Sequence, residues 1–290
     1  MRKFYHVCEG QRSGEAKPPG SWRAMLCAGR VGPMTELLGL PYSPWTEKAR
    51  FALDVRGVPY RFRNYSPLLG EPELRLRLRR LRGPVSVPVL VDDSGRSRAD
   101  SLEIARWADA RGRGPCLFPD EHARAVEGAV ALSERGLAAG RALSLLRMLD
   151  DEEALREMLP KPLRRSSLRA FVGLARAGVE RTRQKYGGDR RTESEHRDDF
   201  DRALGELRAR LSEAPDGAPR TLTGNLSFAD IALAQLLVFV APPRLGLRLG
   251  RASRRCFEDP GLAERYADLV TWRDALYAAH RSSSPGKGLP

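Results

Sequence analysis

Leu40-Pro41-Tyr42-Ser43-Pro44-Trp45-Thr46-Glu47-Lys48-Ala49-Arg50 is the stretch from which the rest of this 290-residue sequence can be read. Thr35–Leu40, leading into it, is a short apolar run and a strand candidate. Ser43-Pro44 then opens a helix, because serine is a preferred N-cap and proline at the first helical position loses no needed hydrogen bond. Trp45, Ala49, Ala52, Leu53 and Arg56 fall on one face at helical spacing, and Gly57 ends the pattern. A strand therefore turns sharply into a helix whose N-terminal amides meet the side chain of Ser43.

Working outward, Tyr60–Tyr65 alternates and predicts a second strand, parallel to the first by the right-handed crossover rule. Glu73–Arg82 alternates Leu and Arg, but Leu74, Leu78 and Leu81 and the lack of β-branched residues favour a helix. Val85–Val91 is a β-branched run, Asp92-Asp93-Ser94-Gly95 a hairpin turn and Arg96–Ala99 a returning strand. Asp100–Arg111 reads as a helix with Asp100 as N-cap and Glu103 three places on, a capping-box spacing. The order is β-α-β, a connector, then β-β-α. Gly112–Pro119 is rich in Gly and Pro and marks a boundary, beyond which nearly everything is helical. His122–Leu149 and Glu152–Tyr186 are long, the second broken or kinked at Pro160 and Pro162. Phe200, Ala203, Leu204, Leu207 and Leu211 form one stripe. Ser227 and Asp230 cap an apolar helix running to Val240, and Leu262, Tyr266, Leu269, Val270, Arg273, Leu276 and Tyr277 mark a terminal helix.

Composition narrows the function. Hydrophobic content of 41% with 30% charged residues supports a globular core. The apolar run Ile231–Ala241 is far shorter than the ~20 residues that a bilayer span needs, so no membrane role is expected. Cys8, Cys27, Cys116 and Cys256 make no C-x-x-C and no metal-ligand pair with the histidines, so neither a disulfide framework nor a metal is expected. The net charge is +13, with lysine at only six of the 50 basic positions. Arginines so dispersed suggest a coding bias more than a polyanion site, and no specific nucleic-acid partner is expected. Residues 1–33 show Gly, Pro and Ser punctuation, no sustained apolar period and no secretory h-region. They are expected to be an unstructured leader, with the functional start at Met34.

The whole arrangement resembles a soluble glutathione transferase. The stretch 40–50 resembles the strand-to-helix turn carrying the catalytic Ser or Cys of that family's Ser/Cys-type classes. Val87-Pro88-Val89-Leu90 resembles its cis-proline strand, and Asp100-Ser101-Leu102-Glu103-Ile104 resembles the acidic-Ser turn that grips the γ-glutamyl end of glutathione. Ser227-x-x-Asp230 resembles the buried capping box of its helical domain. The resemblance implies an α+β thioredoxin-like (βαβ–ββα) N-terminal domain over residues 34–112, a linker at 113–119, an all-α helical-bundle domain over 120–281 and a polar tail at 282–290. It also implies a cytoplasmic homodimer of detoxification type, with glutathione as co-substrate and a small electrophilic, largely apolar second substrate.

The residue types suit that chemistry. A free thiol has a pKa of ~8.5, and a helix N-terminus favours an anion. The resemblance makes Ser43 the hydroxyl that donates to the glutathione sulfur, with Tyr42 the alternative, since other branches of the family use a tyrosine. Ser43-Pro44 is also an ordinary cap pair. The resemblance gives Val87, before a cis Pro88, the pairing with the cysteinyl backbone, and gives Asp100 and Ser101 the γ-glutamyl ammonium and carboxylate. Gly83-Pro84-Val85-Ser86 offers no cation for the glycine carboxylate, though Arg80 or Arg82 lies nearby. That gap gives weight to an alternative: a non-catalytic transferase-like domain acting as a ligand-binding or protein-interaction module.

Overall fold

A computed structural model describes residues 34–67, 70–160, 163–164 and 169–281. The expected leader 1–33 and the tail 282–290 lie outside the described residues. Four strands, β1 (Glu36–Gly39), β2 (Arg61–Asn64), β3 (Val89–Val91) and β4 (Ser97–Ala99), form one sheet in the order β2-β1-β3-β4. β1 and β2 are parallel, with α1 (Pro44–Val55) as their crossover. β3 runs antiparallel to β1, and β4 antiparallel to β3. Helices α2 (Glu71–Leu78) and α3 (Ser101–Arg111) complete a βαβ–ββα unit.

The chain then becomes helical. α4 (Ala123–Asp150) is followed by α5 (Glu152–Glu157), α6 (Arg169–Lys185), α7 (Glu193–Ser212), α8 (Phe228–Ala234), α9 (Arg251–Phe257), α10 (Pro260–Arg265) and α11 (Ala267–His280). The stripe Phe200, Ala203, Leu204, Leu207 and Leu211 on α7 is fully buried, as its period requires. Ser227 and Asp230 make the reciprocal capping box, and the Asp230 carboxylate also accepts from the Leu222 N–H at 2.8 Å. This is a thioredoxin-like unit followed by a helical region.

Four local expectations need correcting. β3 begins at Val89 instead of Val85, because Pro88 has no N–H to donate to a ladder. Asp100 caps α3 by accepting from the Leu102 N–H at 2.9 Å, while Glu103 is exposed and makes no return bond to the cap. The apolar helix after Ser227 tightens into a 3-10 segment, Gln235–Phe239, before it ends. The terminal helix is two helices, interrupted at Tyr266.

The largest departure is α1. Its expected amphipathic face is matched by burial on the opposite face too, including Glu47, Lys48 and Arg50. α1 lies between the sheet and the helical region, so its charged residues need partners inside the protein. Lys48 pairs with Glu134 of α4 at 2.7 Å, and Glu47 takes Arg50 at 3.3 Å and Arg281 at 2.7 Å.

Candidate functional site

The strand register gathers the residues singled out above. Leu38 of β1 pairs with Val89 of β3, and Val89 pairs with Ala99 of β4. The chain leaving β1 through Tyr42 and Ser43, the chain entering β3 through Val87-Pro88, and the chain leaving β4 into Asp100-Ser101 therefore share one end of the sheet. The Val87–Pro88 peptide is cis, and the Pro88 carbonyl accepts from the Asp100 N–H at 3.3 Å.

Ser43 is the N-cap of α1, and its Oγ accepts a long bond from the Thr46 N–H at 3.4 Å. That bond uses an oxygen lone pair and leaves the hydroxyl proton free to donate. Tyr42 packs against the helical core, and burial pushes its phenol up to about 12, so it stays neutral. Asp100 holds a positive φ of 84°, a region that non-glycine residues seldom occupy, while its carboxylate remains exposed. Ser101 is buried at the first turn of α3, its hydroxyl 3.4 Å from Asp100 Oδ1.

The opposite wall comes from the helical region and escaped the sequence reading. Glu134 of α4 accepts from the Trp45 indole N–H and from the Lys48 ammonium, each at 2.7 Å. Burial pulls the Lys48 ammonium below its ordinary pKa, and the negative charges of Glu134 and Asp100 oppose that. Lys185, the last residue of α6, donates to the Val85 carbonyl at 2.7 Å, two residues before Val87. It enters no ion pair among the described residues, and its ammonium also lies over the Tyr186 ring, 5.3 Å from the centroid. Arg80 and Arg82, by contrast, are exposed.

No three His, Cys, Asp or Glu side chains gather as a metal site among the described residues. Of the described cysteines, Cys116 is exposed and Cys256 lies buried in the helical core, burial pushing its thiol up to about 11. A thiol so rarely ionised is no nucleophile at neutral pH. Within the same residues, no helix is long and apolar enough to cross a membrane.

A mixed four-stranded sheet with a cis-proline end, covered by a helical region, defines a class of protein, and sequence comparison agrees with it. Residues 37–115 match the family described as glutathione S-transferase, N-terminal domain. A probable glutathione S-transferase of Solanum tuberosum is 32% identical over 99 residues, a match spanning 31% of this chain and 41% of that relative. Among solved structures, a glutathione S-transferase of Methylobacillus flagellatus with glutathione bound matches with a TM-score of 0.53 and 18% identity, covering 88% of this chain and 99% of that one. A glutathione S-transferase of Ceriporiopsis subvermispora in complex with glutathione matches with a TM-score of 0.53 and 20% identity, covering 85% of this chain and 94% of that one. At such identities the structures speak for the fold. Residues 37–115 therefore match a glutathione S-transferase N-terminal domain, and the described residues share the fold of those solved transferases.

Proposed function

We propose that the chain is a glutathione transferase-like enzyme, with glutathione lying across the sheet end that carries Ser43, Val87-Pro88 and Asp100-Ser101. The observation that supports this most is the convergence of those three segments through the β1/β3/β4 register. In this reading Ser101 and the first turn of α3 receive the γ-glutamyl carboxylate, and the exposed Asp100 faces the ammonium. The Val87 backbone pairs with the cysteinyl unit, and Lys185 supplies the cation for the glycine carboxylate that residues 83–86 lack.

The thiol then lies at the N-terminus of α1. The helix end and the free Ser43 proton favour the thiolate over the thiol, and each pKa unit of lowering requires ~1.36 kcal/mol. The sulfur attacks the electrophilic carbon of a small second substrate, held beside Trp45 and α4. The new S–C bond forms, the leaving group departs with its electron pair and the thiol proton passes to solvent. A cytoplasmic homodimer remains the expected setting.

Calorimetric titration with glutathione tests the binding part. Saturable one-site binding that weakens when Lys185→Ala or Ser101→Ala is introduced supports the reading. No heat at millimolar glutathione, with the fold intact, would move the assignment to a non-catalytic module.

A further inference from the structure

Arg141 sits on α4, two turns beyond Glu134. Its guanidinium carbon lies over two aromatic rings, 4.6 Å from the Trp45 centroid and 3.9 Å from the Tyr186 centroid. Neither ring is placed loosely. The Trp45 indole is tied to Glu134, and Tyr186 precedes a tight turn whose Gly187 has a φ of +71°. The same turn is held by His196, whose Nε2 is 3.2 Å from the Gly188 carbonyl, and a Cβ at Gly188 would lie 3.4 Å from Ala142 of α4.

Stacking satisfies the faces of a guanidinium and leaves its edge, where all five N–H donors lie. That edge donates no hydrogen bond and enters no ion pair among the described residues. Glu134 acts on it through its charge but gives it no hydrogen bond, because that carboxylate is taken by Lys48 and Trp45. Half-buried cations without an anion are costly, and a planar, pre-stacked guanidinium is the geometry that recognises a carboxylate in a two-pronged manner. Tyr186 is 41% exposed, so the arrangement opens to solvent on one side. Trp45 also lies two residues from Ser43, which puts the receptor beside the attacking thiol.

We infer that Arg141, held over the rings of Trp45 and Tyr186, is a carboxylate receptor that selects a second substrate bearing an acidic group next to its electrophilic ring or chain. The inference rests on the proposed reading only for calling that ligand the second substrate. Lys185, over the Tyr186 ring, adds positive charge nearby, while the Lys48 charge is buried against Glu134. The expected preference for a largely apolar electrophile gains an acidic group: the apolar part stacks on Trp45 and the acid reaches Arg141.

The test uses unreactive probes and no glutathione, so that it stands apart from catalysis. Binding of 3,5-dinitrobenzoate and of neutral 1,3-dinitrobenzene is measured by calorimetry on the wild type, Arg141→Met and Arg141→Lys, each checked by thermal melting. The wild type should prefer the carboxylate at least tenfold, Arg141→Met should abolish that preference, and Arg141→Lys should keep only part of it. Equal affinity of the wild type for both probes, or a preference that survives in a folded Arg141→Met or is fully kept by Arg141→Lys, would overturn the inference. If Arg141→Met does not fold, the wild-type preference and Arg141→Lys decide. A glutathione titration on the same wild-type sample separates the two ideas: probe selectivity without glutathione binding leaves the receptor standing and removes the transferase reading.

Discussion

Ser43 and Asp100 are both helix caps, and the proposed reading adds a chemical role to each. The Ser43 cap bond of 3.4 Å is long, so the cap itself contributes little, toward the low end of the ~0.5–2 kcal/mol range for such residues. Asp100 is the more informative position. Its φ of 84° costs on the order of 1–3 kcal/mol, held in place by the Pro88 carbonyl on one side and the Leu102 amide on the other. Glycine relieves such a conformation and is only a few tenths of a kcal/mol worse as a cap. Asp100→Gly should therefore unfold at or above the wild-type midpoint in urea while binding glutathione at least tenfold more weakly. A variant destabilised by several kcal/mol, with glutathione affinity unchanged, would make Asp100 a purely structural residue.

At the scale of elements, the β3–β4 hairpin turns on one carboxylate. Asp92 Oδ1 accepts from the Ser94 amide at 3.0 Å, the Ser94 hydroxyl at 2.6 Å and the Arg96 amide at 3.0 Å, while Oδ2 takes Arg98 at 2.7 Å. Burial would raise its pKa, but these bonds outweigh it and hold the carboxyl well below the usual range. A depressed folded pKa gives stability that is present above the unfolded value of ~3.9 and is lost progressively as pH falls from there through the folded value. Asp92→Asn should thus cost about 1–2 kcal/mol at pH 7. The gap to the wild type should narrow as pH falls from about 5 toward 3, as followed by melting temperature. A gap that stays constant or widens with acid would show that the charge is not what matters.

The hairpin was legible in sequence because Asp92-Asp93-Ser94-Gly95 carries its own turn chemistry; so were the α1 and α8 caps and the α7 stripe. Each is a local pattern. β3 is shorter than its β-branched run suggests, because the missing N–H of Pro88 ends the ladder at Val89. The far wall of the site was not legible at all. Lys48 and Glu134 are 86 residues apart, and nothing local at either announces the other. Arg141 is one arginine among many until it is seen over the rings of Trp45 and Tyr186.

Across the whole described chain, the longest-range tie is Arg281 to Glu47, 234 residues away. Both side chains are almost fully buried, Arg281 also pairs with Asp54, and the Arg281 guanidinium lies 5.7 Å from the Phe51 ring centroid. The end of the helical region is thereby fastened to the helix that starts at Ser43. Removing one partner leaves buried charge uncompensated, so Arg281→Met should cost about 3–5 kcal/mol in chemical denaturation. Adding Glu47→Gln should cost less than the sum of the two single changes, because the pair then fails together. Strict additivity would mean that the ion pair carries no coupling.

If the α1 N-terminus and Ser43 hold a glutathione thiolate, ultraviolet titration of the bound thiol reads it out. The wild type should show the thiol ionising at least one unit below its free value. Ser43→Ala should raise that pKa and lower kcat/KM tenfold or more, since a charge-assisted bond contributes ~1.5–3 kcal/mol. Glutathione affinity should change far less, and Ser43→Cys should instead exchange disulfides with glutathione. A Ser43→Ala protein with an unshifted thiol pKa and full activity, beside an inactive Tyr42→Phe, would contradict the account and give the role to Tyr42.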